Sequence, residues 1–167
     1  MYHGQLGYLD LLEKSYDSAI KHLRRAIELD SQIAQCYIWL GYCLFQKKSF
    51  EKALGAYDYA IDLDISCSQA YYLRGDFYLT LKKYDLALED FNQAIEISPQ
   101  DPETYNSRAH YFRMVGDYDR ALNDVVHGLS LNSNHAFSYS TKAEIFGMQG
   151  DRGGFYSNIK RAFTLGC

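Results

Sequence analysis

The sequence predicts an all-α protein, a stack of antiparallel helix pairs. Three observations carry this. The 167-residue chain aligns with itself at a shift of 34, without a gap, through five copies. Each copy holds two segments with helical periodicity, joined by a short polar turn. Small residues also recur in phase: Gly7, Gly41, Gly75, Ala109 and Ala143 form one column. Ala19, Ala53, Ala87 and Ala121 form a second, which ends on Phe155, and Ala26, Ala60, Ala94, Gly128 and Ala162 a third.

The third copy shows how each element is specified. Its first helix is read over about Ser68–Leu81, with Tyr71, Arg74, Gly75 and Tyr78 on one stripe. Its second runs over about Tyr84–Ile97, with Ala87, Leu88, Phe91, Ala94 and Ile95 on the buried stripe. Lys82-Lys83 is the turn. Ser98-Pro99 closes the second helix, since proline disfavours helix at the residue before it. Asp101-Pro102 opens the next with a capping side chain and a first-turn proline. Gly75 and Ala87 lie about equally far from the turn and are expected to face each other, so a leucine at either would overpack the contact by about 1–3 kcal/mol. One helix pair cannot bury its stripe alone, so the copies must stack.

Composition narrows the function. The net charge of -4 and the absence of a clustered Lys/Arg surface argue against nucleic acid or an anionic membrane as partner. No apolar run approaches the roughly 20 residues needed to cross a bilayer, and the N-terminus lacks the pattern of a signal peptide. Cys36, Cys43, Cys67 and Cys167 have no CxxC or metal spacing and read as free thiols in a reducing, cytoplasmic compartment. No phosphate loop, nucleophile elbow or zinc signature appears. The best acid/base cluster is Asp76, His110 and Glu144, one per copy, with neighbours about 10 Å apart, too far for a hydrogen-bonded pair. A non-enzyme with no metal and no cofactor is therefore expected.

The motif Tyr71-x2-Arg74-Gly75-x2-Tyr78, then Ala87-x3-Phe91, Ala94 and Pro99, resembles the tetratricopeptide repeat signature. The second copy repeats it as Tyr37-x2-Leu40-Gly41-x2-Leu44, Ala53-x3-Tyr57 and Ala60. The resemblance implies a right-handed superhelical solenoid of five repeats in one domain over 1–167. The repeats are expected at about 1–33, 34–67, 68–101, 102–135 and 136–167. The first begins inside its own first helix, which leaves two readings: an excerpt of a longer array, or an end covered by a partner. In the last, Phe155 in the alanine column and Gly153-Gly154 at the helix start imply altered packing.

The resemblance further implies a groove on the first helices that binds a peptide or protein segment. Its expected lining is Tyr8, Ile38, Trp39, Tyr42, Phe45, Tyr72, Asp76 and Leu79, then Asn106, His110, Arg113 and Glu144. Co-chaperone members of the family clamp acidic tails with Lys, Asn and Arg. Here those columns hold Tyr72, Asp76, Ser107, Phe137 and Thr141, so a ligand carboxylate would meet Asp76 and Glu144 instead. The alternative is a structural role, with homo-oligomers or longer arrays stacking through the end repeats.

One pair of columns predicts ion pairs. Leu6, Leu40, Arg74, Arg108 and Lys142 run parallel to His22, Ala56, Asp90, Asp124 and Asn158. Basic residues enter the first wherever Asp or Asn enters the second, predicting Arg74–Asp90 and Arg108–Asp124. Exposed pairs of this kind contribute about 0–1 kcal/mol. Arg74-Gly75-Asp76 is thus a mid-helix segment rather than an exposed adhesion turn.

Overall fold

A computed structural model describes residues 2–166; Met1 and the Cys167 thiol lie outside the described residues. Among them are ten α-helices and no strand. They are α1 (Tyr2–Leu12), α2 (Tyr16–Leu29), α3 (Ala34–Gln46), α4 (Phe50–Leu63) and α5 (Ser68–Thr80). Then follow α6 (Tyr84–Ile97), α7 (Pro102–Met114), α8 (Tyr118–Leu131), α9 (Ala136–Met148) and α10 (Arg152–Thr164). Two helices fall in each 34-residue copy.

The helices group into two compact units, with the division in the α5–α6 turn: one up to Leu81, the other from Lys82. In the first unit, α3 is the hub and touches α1, α2, α4 and α5. Ala19, Leu23, Cys36, Cys43, Ala53, Tyr57 and Phe77 form its core. Phe77 is the aromatic centre, with ring contacts to Phe45, Phe50, Tyr57 and Tyr78 at 5.6–6.3 Å. In the second unit, α7 packs on α6, α8 and α9, and α9 packs on α10. Ala109, Phe112, Ala121, Val125, Ala143 and Ile145 are buried there.

Local chemistry explains the ends. Asp101 accepts from the Glu103 backbone N–H with Pro102 in the first turn, and Asp117 and Asp151 cap α8 and α10 in the same manner. Asp30, Asp64 and Asn132 each follow a second helix and accept from the backbone N–H two residues on, closing the turn between repeats. Within repeats one column turns the chain through the left-handed region: Lys14, Lys48 and Lys82 at φ 57–58°, Gly116 and Gly150 at φ 81–83°. A Cβ at Gly116 would touch nothing. Gly116→Ala therefore tests backbone conformation alone, and urea denaturation is expected to show a loss of about 1 kcal/mol. Lys48→Ala, with the left-handed cost present before and after, is expected to leave the midpoint nearly unchanged.

In repeats one and two the glycine lies closest to the large residue one turn past the alanine along the second helix, while the Gly75–Ala87 contact spans the two units and stands as a proposal. A Cβ on Gly7 would lie 2.6 Å from Leu23 Cγ, and one on Gly41 2.7 Å from Tyr57 Cε1. The glycines thus seat a large side chain. The fifth repeat redistributes this device, since Phe155 sits 3.2 Å from a Cβ position on Gly147 and Phe146 sits 2.7 Å from one on Gly154. Of α10 only Ala162 is buried, while Tyr156 and Phe163 stand exposed.

Candidate functional site

In the first unit the first-helix faces carry aromatic rings. Tyr8 of α1 stacks on Trp39 of α3 with centroids 4.8 Å apart and planes at 28°. Tyr8 is exposed, as is Leu12, whereas Trp39 is half-buried and rests on the core. Gln35 donates to Gln69 at 3.0 Å, which ties α3 to α5 one repeat on. Tyr42, Tyr72 and Asp76 are half-buried. Burial, then the neighbouring Tyr16, Cys43 and Asp76, raise the Tyr42 phenol above its ordinary range. Phe45 is half-buried and splits its contacts between Phe50 and Phe77.

Two expected lining residues are corrected. Ile38 and Leu79 are buried and present no surface to a ligand. The reason is the side-by-side packing of first helices: α3 touches both α1 and α5, so the flanks of its inner face are consumed by neighbours. The open strip is narrower than the four columns the sequence reading assigns to it.

In the second unit the corresponding strip is polar and charged. Thr141 Oγ1 donates to Asn106 Oδ1 at 3.2 Å, linking α9 to α7. Arg113 Nε lies 3.2 Å from Glu144 Oε2, off the N–H axis, so this is a charge contact rather than an aligned hydrogen bond. His110 reaches the surface, but the protein around it and, second, the Arg113 guanidinium lower its pKa, with Glu144 opposing. At the start of the strip His135 Nδ1 shares a hydrogen with Ser138 Oγ at 2.7 Å. His135 Nε2 sits 2.9 Å from Glu103 Oε1, again out of line. That imidazole holds the Glu103 carboxyl below its usual range against the opposing effect of burial. Met114, Phe137 and Met148 add exposed apolar surface. His135 has no motif spacing in the sequence; its position just before α9, thirty-two residues after Glu103, is the only signal for it.

The basic column does more than pair with the acidic one. Arg108 Nε and Nη2 donate to the two Asp124 oxygens, both at 2.8 Å, and Nη1 donates to Asn92 Oδ1 at 2.8 Å. One guanidinium thus joins α6, α7 and α8. Arg74 Nη1 donates to Asp58 Oδ1 at 2.7 Å. The backward partners Asp58 and Asn92 were legible as residues sixteen before Arg74 and Arg108. The Arg74–Asp90 pairing would link residues of different units and stands as a proposal. In repeat five the column does something else: Lys142 lies over the Phe146 ring at 6.0 Å, and Asn158 donates to the Gly154 carbonyl.

Among the described residues no group of three or more His, Cys, Asp or Glu side chains is arranged to hold a metal, and no helix is long and apolar enough to cross a membrane. Cys36 and Cys43 are buried free thiols, and burial pushes the Cys43 thiol up to about 11.

An all-helical chain of in-phase helix pairs, with side-chain ladders between successive first helices, defines a helical repeat solenoid. Tetratricopeptide repeat models match residues 13–66, 68–101 and 91–123. The chain therefore belongs to the tetratricopeptide repeat family. No curated protein sequence matches it. Solved structures share its fold. TTC0263, a thermophilic tetratricopeptide repeat protein of Thermus thermophilus, superposes with a TM-score of 0.91 at 17% identity, covering 99% of this chain and 90% of that one. PilF of Pseudomonas aeruginosa gives 0.87 at 18%, with 99% and 76% covered. YrrB, described as having an unusual peptide-binding site, gives 0.66 at 19%, with 98% and 84% covered.

Proposed function

We propose that the chain is a non-catalytic scaffold that holds a peptide or protein segment against the open strips of its first helices. The observation that carries this is the stacked Tyr8–Trp39 pair beside exposed Leu12, aromatic surface left at the rim of a core that is otherwise filled. Such rings supply large contact area at low entropic cost and anchor interfaces. The second unit offers polar and charged side chains with Met114, Phe137 and Met148 at their edges. The peptide-binding site of YrrB, a protein of the same fold, supports the reading. A cytoplasmic setting, which keeps Cys36, Cys43 and Cys67 reduced, belongs to the same proposal.

The test compares affinity capture by the wild type with capture by a Trp39→Ala, Tyr72→Ala, His110→Ala triple variant. Partners held by the strips are expected to drop out of the triple-variant eluate, and their addition to the wild type is expected to shift Trp39 fluorescence. An unchanged set of partners refutes strip binding. A second reading, self-association through end helices, is favoured by the exposed Tyr156 and Phe163 on α10 and Tyr2 and Leu9 on α1. Sedimentation at several concentrations separates the two, since a constant monomer mass rules self-association out.

A further inference from the structure

The charged pairs on the α7–α9 strip share one polarity. Glu103 is 54% exposed while the His135 side chain beneath it is 7% exposed, and Glu144 is 51% exposed over an Arg113 that is 15% exposed. In both pairs the carboxylate faces out and the basic group lies below. An approaching ligand therefore meets oxygen lone pairs first, even though formal charge is nearly balanced. Each acid keeps acceptor capacity, since neither contact is an aligned hydrogen bond. Met114 and Met148 stand exposed at the far end of the strip, one repeat apart in the same column. Thioethers there offer an adaptable apolar seat.

We propose that the α7–α9 strip selects a basic, partly apolar peptide segment in extended form, with two cationic side chains meeting Glu103 and Glu144 and an aliphatic residue resting on Met114 and Met148. This rests on the scaffold reading above and adds the chemistry of its partner. Glu103 is the second residue of α7 and Glu144 the ninth of α9. Seven residues of helical rise and one interhelix spacing put them about 14 Å apart. An extended chain covers that in about four residues and returns its side chain to the same face. The cations should therefore be four positions apart. The arrangement has the opposite sense to a cationic clamp for acidic tails.

Three labelled, end-capped peptides test this on the full chain by fluorescence anisotropy at low salt. All read Ser-X-Ser-Ser-Ser-X-Ser-Leu-Ser, which puts both X residues and the leucine on one face with the leucine beyond the second X, and X is Lys, Glu or Gln. The Lys peptide is expected to bind about tenfold tighter than the Glu peptide, a difference of about 1.4 kcal/mol. Glu103→Gln and Glu144→Gln should each weaken the Lys peptide by about two- to fivefold, the range of rim ion pairs. Glu144→Gln should also strengthen the Glu peptide, because Arg113 loses its counter-charge. Glu96→Gln, elsewhere on the same unit, should change nothing. Equal or tighter binding of the Glu peptide, no response to either strip substitution, or no binding at all overturns the proposal. If all three peptides bind alike and Met114→Ala with Met148→Ala weakens them, the scaffold reading survives without the charge preference. If no binding responds to any substitution on the α7–α9 strip, this proposal falls, and the scaffold reading is decided separately by the Trp39, Tyr72 and His110 triple variant.

Discussion

Replacing Asp124 with alanine is expected to destabilise the protein by about 3 kcal/mol, a large effect for an ion pair. The reason is burial. The Arg108 side chain is 20% exposed and Asp124 is 9% exposed, and the contact is a two-pronged fork with both arms at 2.8 Å. Removing the carboxylate leaves a guanidinium among Phe112, Leu88 and Asn92, with one neutral acceptor in place of three oxygens. Desolvation of the charge is then uncompensated. A cleft of about 290 Å³ beside it, also lined by Arg120 and Asn123, lets water reach part of the guanidinium, which holds the cost at the lower end of the buried range. The double variant Arg108→Met, Asp124→Leu should recover most of the loss, because an apolar pair of similar volume removes both charges together. By contrast Glu28→Ala, which breaks the exposed Arg25–Glu28 contact, should stay within about 0.5 kcal/mol. Urea titration of the wild type, Arg108→Met, Asp124→Leu and the double variant closes the cycle, and a coupling within error of zero for Arg108 and Asp124 would sink the argument.

Why that pair was legible in register but not in weight shows where sequence reading stops. Columns repeat at 34 residues, so the relation of residue 108 to residue 124 can be read from the chain. Burial depends on what packs from the neighbouring repeat. Asn92 of the preceding repeat accepts from Arg108 Nη1 and Phe112, one turn along α7 itself, faces the guanidinium at 5.7 Å, and spacing in the chain does not announce how deeply the pair is enclosed. The same limit explains the strip. The sequence places Ile38 and Leu79 on the inner face of their helices, and that placement holds for the backbone. Yet α1, α3 and α5 pack side by side and take up the flanks of that face, so both side chains are buried. Tyr8, one repeat earlier and on α1, keeps an open ring. The helices themselves, with their caps at Asp101 and the stop at Ser98, are local and were fully written in the sequence. The polarity of the Glu103–His135 and Glu144–Arg113 pairs is not, because which partner lies beneath depends on side-chain length and on the angle between helices.

The second large effect tests the glycine column. Gly41→Ala is expected to destabilise the protein by about 1–2 kcal/mol, although alanine is the better helix former by about 1 kcal/mol. The added methyl would sit 2.7 and 2.8 Å from Tyr57 Cε1 and Cδ1. Contacts under 3.0 Å force a movement, and the Tyr57 ring has nowhere to go: it is fully buried, with the Phe77 ring centroid 6.3 Å away and itself enclosed. Either α3 and α4 separate or the ring leaves its rotamer, and each loses core contact. The same substitution at Gly55 supplies the opposite sign. Gly55 is a helical residue of α4 whose Cβ would meet nothing, so Gly55→Ala should stabilise by about 0.5–1 kcal/mol through propensity alone. The two variants carry identical chemical changes on adjacent helices, so any difference in their urea midpoints measures packing against Tyr57. If both shift in the same direction, the glycine is not there to seat the ring, and the close approach of α3 to α4 must rest on some other contact.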